Sequence, residues 1–212
     1  MKALKIYVVL SLLIIIFLFV LTSLSFYGFV DPEARATMAV FDAIWVISAS
    51  LAVAAVSQLL FRFERGEAPR RIWSLICLGA LLRLAGDISW FVYEVVLYTE
   101  VPYPSLADLF WLASYVPFIV ALFKLAYGYR RLGLAFRKWS LALLIPLVLA
   151  ILAVTTMVVV APILSDAEAS LIDKVINPAY VYLDFLILVP ALLITLAFSK
   201  GMQGRPWQLI SV

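Results

Sequence analysis

Long apolar runs alternate with short polar breaks along the whole chain. Six stretches reach the roughly 20 mostly apolar residues that an α-helix needs to cross a hydrocarbon core. They lie at about 4–27, 39–63, 72–98, 107–127, 139–161 and 175–199. The breaks carry turn and loop residues: Asp31-Pro32-Glu33, Gly66-Glu67-Ala68-Pro69, Pro102-Tyr103-Pro104, Gly128 to Arg137, Asp166 to Asp173, and Gly201 onward. The pattern predicts an all-α, polytopic transmembrane helical bundle, residues 1–212 forming a single domain. The first run, Ile6 to about Phe26, is longer than the apolar region of a cleaved signal peptide and reads as an uncleaved first span.

Composition agrees with that class. Of the 212 residues, 66% are hydrophobic and 14% charged, whereas a soluble domain sits nearer half apolar and a quarter charged. A small water-soluble fold leaves too much surface exposed to hide so much apolar area. The lipid bilayer is therefore an expected partner.

Basic residues distribute unevenly between alternate loops. Lys2 and Lys5 precede the first run; Arg62, Arg65, Arg70 and Arg71 follow the second; Lys124, Arg130, Arg131, Arg137 and Lys138 surround the fourth loop; Lys200 and Arg205 follow the sixth run. That makes thirteen, against Arg35 and Lys174 in the other loops, which also hold Asp31, Glu33, Glu100, Asp166, Glu168 and Asp173. The positive-inside rule predicts both termini in the cytoplasm of a multi-pass protein of the plasma membrane. The net charge of +3 is then an orientation signal, and no nucleic-acid partner is expected.

Catalytic chemistry has few candidates. There is no histidine and a single cysteine, Cys77, inside an apolar run. The commonest general base, the usual zinc ligand and any internal disulfide are thereby removed. No cofactor, metal site or catalytic residue is expected, though carboxylates alone can still do acid–base work.

Ionisable side chains inside a span are costly and tend to face protein or water. The third run carries Arg83, Asp87, Trp90 and Glu94, at spacings that place all four on one helical face. Arg83 falls roughly 17 Å in from Ile72 at the helical rise. Two readings stand together: an Arg83–Asp87 ion pair that neutralises itself, and a polar floor beneath an outward-facing ligand pocket. Asp184, in the sixth run, or the shallower Asp42, in the second, is placed to join Arg83; Asp42 also reads simply as wet at the interface. A surplus of carboxylates in such a network would keep a proton on at least one of them or invite a cation.

The most distinctive local string is Pro102-Tyr103-Pro104-Ser105-Leu106-Ala107-Asp108. Ser105 reads as a helix N-cap and Asp108, three residues on, as its reciprocal partner. Tyr98, Tyr103, Trp111 and Tyr115 fit an interfacial aromatic belt or the lining of a pocket. Pro117, Pro146 and Pro190 fall inside runs and can kink their helices.

Gly86-Asp87-Ile88-Ser89-Trp90, followed by Tyr103-Pro104-Ser105-Leu106-Ala107-Asp108-Leu109-Phe110-Trp111-Leu112-Ala113-Ser114-Tyr115, resembles a prokaryotic multi-span membrane module. That module stands at the N-terminus of diguanylate cyclases, cyclic-di-GMP phosphodiesterases and some histidine kinases. There a Gly-Asp pair followed by an aromatic, a Pro-Ser-x-Ala-Asp string and an aromatic-rich span recur. The likeness is close over about 30 residues and extends elsewhere only in hydropathy. It implies a sensory, signal-transducing role: a small or lipophilic ligand in the outer half of the bundle, and a cytoplasmic partner or a homo-oligomer as recipient. Asp87, Pro104, Ser105, Asp108 and Tyr115 match family positions, with no catalytic role implied. No output domain stands before Val212, as expected of a stand-alone relative or of a chain cut from a larger protein.

The end of the chain sharpens that choice. Arg205-Pro206-Trp207-Gln208-Leu209-Ile210-Ser211-Val212 parallels Arg71-Ile72-Trp73-Ser74-Leu75-Ile76-Cys77-Leu78. It reads either as the start of a seventh span or as a short interfacial segment anchored by Trp207. Two other functional classes remain: a lipid-modifying membrane hydrolase, to which Gly86-Asp87 alone gives a weaker similarity of the lysoplasmalogenase kind, and a small transporter subunit.

Overall fold

The computed structural model describes residues 2–29, 31, 34–131 and 138–198. Among them every regular element is helical. In chain order these are α1 (Lys2–Phe26), α2 (Arg35–Leu60), α3 (Ala68–Phe91) continued by a π-helical turn (Val92–Val96), α4 (Leu106–Arg131), α5 (Lys138–Thr155) with a second π turn (Thr156–Val160), α6 (Ala161–Ser165) and α7 (Asp173–Phe198). Five stretches are long and apolar enough to cross a membrane: Arg35–Leu60, Ala68–Val96, Leu106–Gly128, Leu144–Ser165 and Asp173–Thr195. Leu12–Phe26, within α1, is a shorter apolar helix. The suggested seventh segment, 205–212, and most of the 128–137 loop lie outside the described residues.

By Cα proximity the chain divides into two compact units, Met1–Pro117 and Phe118–Val212. In the first, α2 packs most extensively on α3. The buried residues Trp73, Ile76, Cys77 and Ala80 of α3 follow the helical spacing of one face. The facing part of α2, residues 48–57, is rich in Ala and Ser, and small side chains let two backbones approach. Ser57 Oγ lies 3.5 Å from Cys77 Sγ at this seam, so the lone cysteine is a packed small residue. Gln58 Nε2 donates to the Tyr7 hydroxyl at 2.6 Å and ties α1 to α2. In the second unit α7 packs on α5, the second π turn and α6, around the fully buried Val160 and Ile194.

Local chemistry sets the helix ends. After α1, Gly28 at φ +75° closes a Schellman motif: its N–H donates to Ser25 O at 3.0 Å and that of Phe29 to Leu24 O at 2.9 Å. Gly66, at φ +103°, turns the chain into α3, which opens with Pro69 where a helix needs no amide donor. Ser105 and Asp108 form a reciprocal capping box on α4: Asp108 Oδ2 accepts from Ser105 N at 2.7 Å and from its Oγ at 2.8 Å, and Asp108 N donates back to Ser105 Oγ at 3.3 Å. Ser170 and Asp173 repeat the device on α7, at 2.8, 2.6 and 3.1 Å. The two strings, Ser105-Leu106-Ala107-Asp108 and Ser170-Leu171-Ile172-Asp173, share a Ser-Leu-x-Asp pattern; the first pair is buried and the second exposed.

Apolar side chains cover the outside of the helices: Phe19 is 72% exposed and Val158 67%. In water such a surface would drive aggregation, whereas in lipid it is the expected one. Prolines interrupt three long helices, Pro117 in α4, Pro146 in α5 and Pro178 with Pro190 in α7. Pro162, just after the second π turn, has no N–H to offer Val158, and the helix widens immediately before it.

Candidate functional site

The site belongs wholly to the first unit. Gly86 and Asp87 are neighbours on α3, and both are used by Trp111 of α4. A β-carbon on Gly86 would overlap the Trp111 indole, so the ring occupies the volume that any other side chain at 86 would fill. From there Trp111 Nε1 donates to Asp87 Oδ1 at 2.9 Å. Trp90, one turn further along α3, stacks on Trp111 with ring centroids 5.6 Å apart and planes at 29°. Its own Nε1 donates to Glu94 Oε2 at 2.6 Å. Each indole thus presents its N–H to one carboxylate and a face to the other indole.

Arg83 completes the wall. Its Nε lies 3.7 Å from Asp87 Oδ1, and its side chain is 47% exposed against 8% for Asp87. The guanidinium carbon also sits 5.4 Å from the Trp111 ring centroid, within cation–π range. The expected Arg83–Asp87 pair is therefore present but long. The shorter, better-placed partner of Asp87 is the Trp111 N–H, a donor on a different helix.

Asp42 and Trp45 come from α2, one helical turn apart. With Arg83, Asp87, Trp90 and Trp111 they line a cleft of about 230 Å³. Asp42 Oδ2 is shut off from solvent and meets no hydrogen-bond donor among the described residues. Asp42 is thus a lining member of the cleft as well as a residue near a helix start. The sequence signal for Trp45 is its place three residues after Asp42, on the same helical face.

A second cavity, about 450 Å³, adjoins this one through Trp90 and is lined by Met38, Glu94, Tyr98, Thr99, Glu100 and Val101. It lies where the α3 helix loosens into its π turn. Leu97 N reaches back to Val92 O at 2.8 Å, Thr99 N to Tyr93 O at 3.1 Å, and Tyr98 takes φ +52°. Such turns recur at functional sites. Arg35 from α2 braces this end, donating to Val95 O at 3.4 Å with its guanidinium 4.5 Å from the Tyr98 ring centroid.

The four residues of the third run stay together: Arg83, Asp87 and Trp90 line the first cleft, and Glu94 and Trp90 line the second. Of the 102–115 string, Trp111 reaches the cleft, while Ser105, Asp108 and Tyr115 are buried. Pro104 follows Tyr103 through a cis peptide bond at the approach to the Ser105 cap. Asp184 lies on α7 in the second unit. Among the described residues no group of three or more His, Cys, Asp or Glu is placed to hold a metal ion. Comparison with protein-family models, with curated proteins and with solved structures finds no match.

Proposed function

We propose that the chain is a membrane-embedded sensory module that binds a small or lipophilic ligand in the Trp-lined cleft and passes the event to its cytoplasmic side. The observation that carries this reading is the cleft itself. It gathers charged and hydrogen-bonding groups from α2, α3 and α4 within helices otherwise apolar enough for lipid, where ionisable groups are costly unless used. The likeness of 86–115 to input modules of cyclic-di-GMP enzymes and histidine kinases supports the same reading.

In this proposal α1 is the first of six spans, both termini lie in the cytoplasm and the protein resides in the plasma membrane, as its asymmetric loop charges favour. Both cavities then lie in the outer half, and ligand binding shifts α2 against α3. The basic loop at 62–71 delivers that shift to a cytoplasmic partner or a second copy of the chain.

The test uses purified protein in phosphatidylglycerol nanodiscs, titrated with amines, amino acids, short-chain fatty acids and quinones while tryptophan emission is followed. At least one class should give a saturable response that Trp90→Ala abolishes. A panel without any saturating member, or a response indifferent to Trp90→Ala, would overturn the proposal.

A further inference from the structure

The cleft holds more negative charge and more indole than a neutral ligand calls for. We propose that it binds an organic ammonium cation, quaternary or alkylated, with Asp42 as counter-charge and the indoles of Trp45 and Trp90 against the cation's substituents. This inference rests on the reading of the cleft as a ligand site and names the class of ligand.

Charge is the first argument. Asp42 and Asp87 line the cleft, Glu94 borders it through Trp90, and Arg83 is the one cation among the described residues that line it. Asp87 has the Trp111 N–H and Arg83, and Glu94 has the Trp90 N–H. Asp42 Oδ2 is shielded from solvent and meets no donor among the described residues, while the Glu94 carboxyl lies close enough to share a proton with the Asp42 side chain. A carboxyl pair that shares one proton still carries a negative charge, and a cation brought to the cleft offsets it.

The walls are the second argument. Trp45, Trp90 and Trp111 all border the same space, and indole is the aromatic side chain that attracts cations best. Arg83 over Trp111 at 5.4 Å shows that this wall accepts a delocalised cation. A volume of about 230 Å³ exceeds the roughly 150 Å³ cavity that admits benzene, leaving room for a trimethylammonium group and a short tail. The adjoining cavity offers an acidic approach past Glu100 and Glu94, while Arg35 beside it is engaged with Val95 O and the Tyr98 ring. An organic cation needs no set of coordinating ligands; it needs counter-charge and aromatic faces.

The test uses the full chain in phosphatidylglycerol nanodiscs. Choline and tetramethylammonium are titrated against tryptophan emission, with 3,3-dimethylbutanol as the uncharged counterpart of choline. The cations should saturate and the alcohol should not. Asp42→Asn should weaken choline by at least about tenfold, Trp45→Ala should also weaken it, and Glu168→Gln, in an exposed loop, should leave it unchanged. Nanodiscs containing phosphatidylcholine assign the source: competition with choline points to a lipid headgroup, and its absence to a free ammonium compound. Equal binding of the alcohol, no saturation by either cation, or full affinity in Asp42→Asn overturns the inference. Should Asp42→Asn fail to fold, the cation-against-alcohol comparison on the unaltered chain decides. If the cations fail while a quinone or fatty acid saturates and loses its response in Trp90→Ala, the ligand cleft stands and only its cationic class falls.

Discussion

The indole of Trp111 fills the space that Gly86 leaves open, and from that position it donates its N–H to Asp87 at 2.9 Å. The adjacent Gly-Asp pair on α3 thus acts as one recognition element for a residue of α4: the glycine sets how closely the ring approaches, and the aspartate sets how it turns.

Gly86→Ala tests the first half of that relationship. A methyl group at this position overlaps the ring, and overpacking of a well-filled site costs about 1–3 kcal/mol. Thermal unfolding in detergent should show that loss, accompanied by a change in tryptophan emission as Trp111 is displaced. An unaltered midpoint together with unaltered emission would mean that the ring is not held there.

Double-mutant cycles rank the two partners of Asp87. The Trp111 N–H bonds a nearly buried carboxylate at 2.9 Å, and hydrogen bonds to charged groups contribute about 1.5–3 kcal/mol. Arg83 is half exposed and 3.7 Å away, so its coupling should fall in the range of about 0–1 kcal/mol typical of solvated pairs. The cycle joining Trp111→Phe and Asp87→Asn should therefore give the larger coupling energy than the cycle joining Arg83→Gln and Asp87→Asn. The reverse order would make the ion pair the principal restraint.

The two capping boxes differ in burial and should differ in cost. Replacing an N-cap serine by alanine costs about 0.5–2 kcal/mol. Ser105 is buried with Asp108, which is only 4% exposed, so Ser105→Ala leaves a shielded carboxylate short of a donor and should lie at the upper end. Ser170→Ala, in an exposed box, lets water replace the hydroxyl and should lie at the lower end. Equal losses in a denaturation series would show that burial does not matter here.

Topology is open to labelling. In a Cys77→Ser background, a membrane-impermeant maleimide added to intact cells should modify Glu168→Cys and spare Arg65→Cys until the membrane is permeabilised. Labelling of Arg65→Cys alone in intact cells would invert the orientation inferred from loop charge.

Much of this protein is determined locally and is therefore legible in its sequence. The positions of the long apolar helices follow from hydropathy and length, because a backbone without water must bond within its own segment. The helix start at Ser105 is legible for the same reason: its two partners are three residues apart. The matching start at Ser170 carried the same four-residue signal. The common face of Arg83, Asp87, Trp90 and Glu94 also follows from a helical period, although the π turn at 92–96 gives no comparable sign.

Only the tertiary structure decides which faces meet. Whether Asp42 lies in water or in a cleft depends on how α2 is rotated against α3, and that rotation is set by small-residue packing around Ser57 and Cys77, more than ten residues away. In sequence Gly86 stands out only as the opening of a Gly-Asp pair; its physical meaning comes from Trp111, twenty-five positions later, whose ring needs the space. The pairing of Asp87 with an indole N–H rather than chiefly with Arg83 is likewise a distance between two helices, and helical periodicity carries no information about that distance.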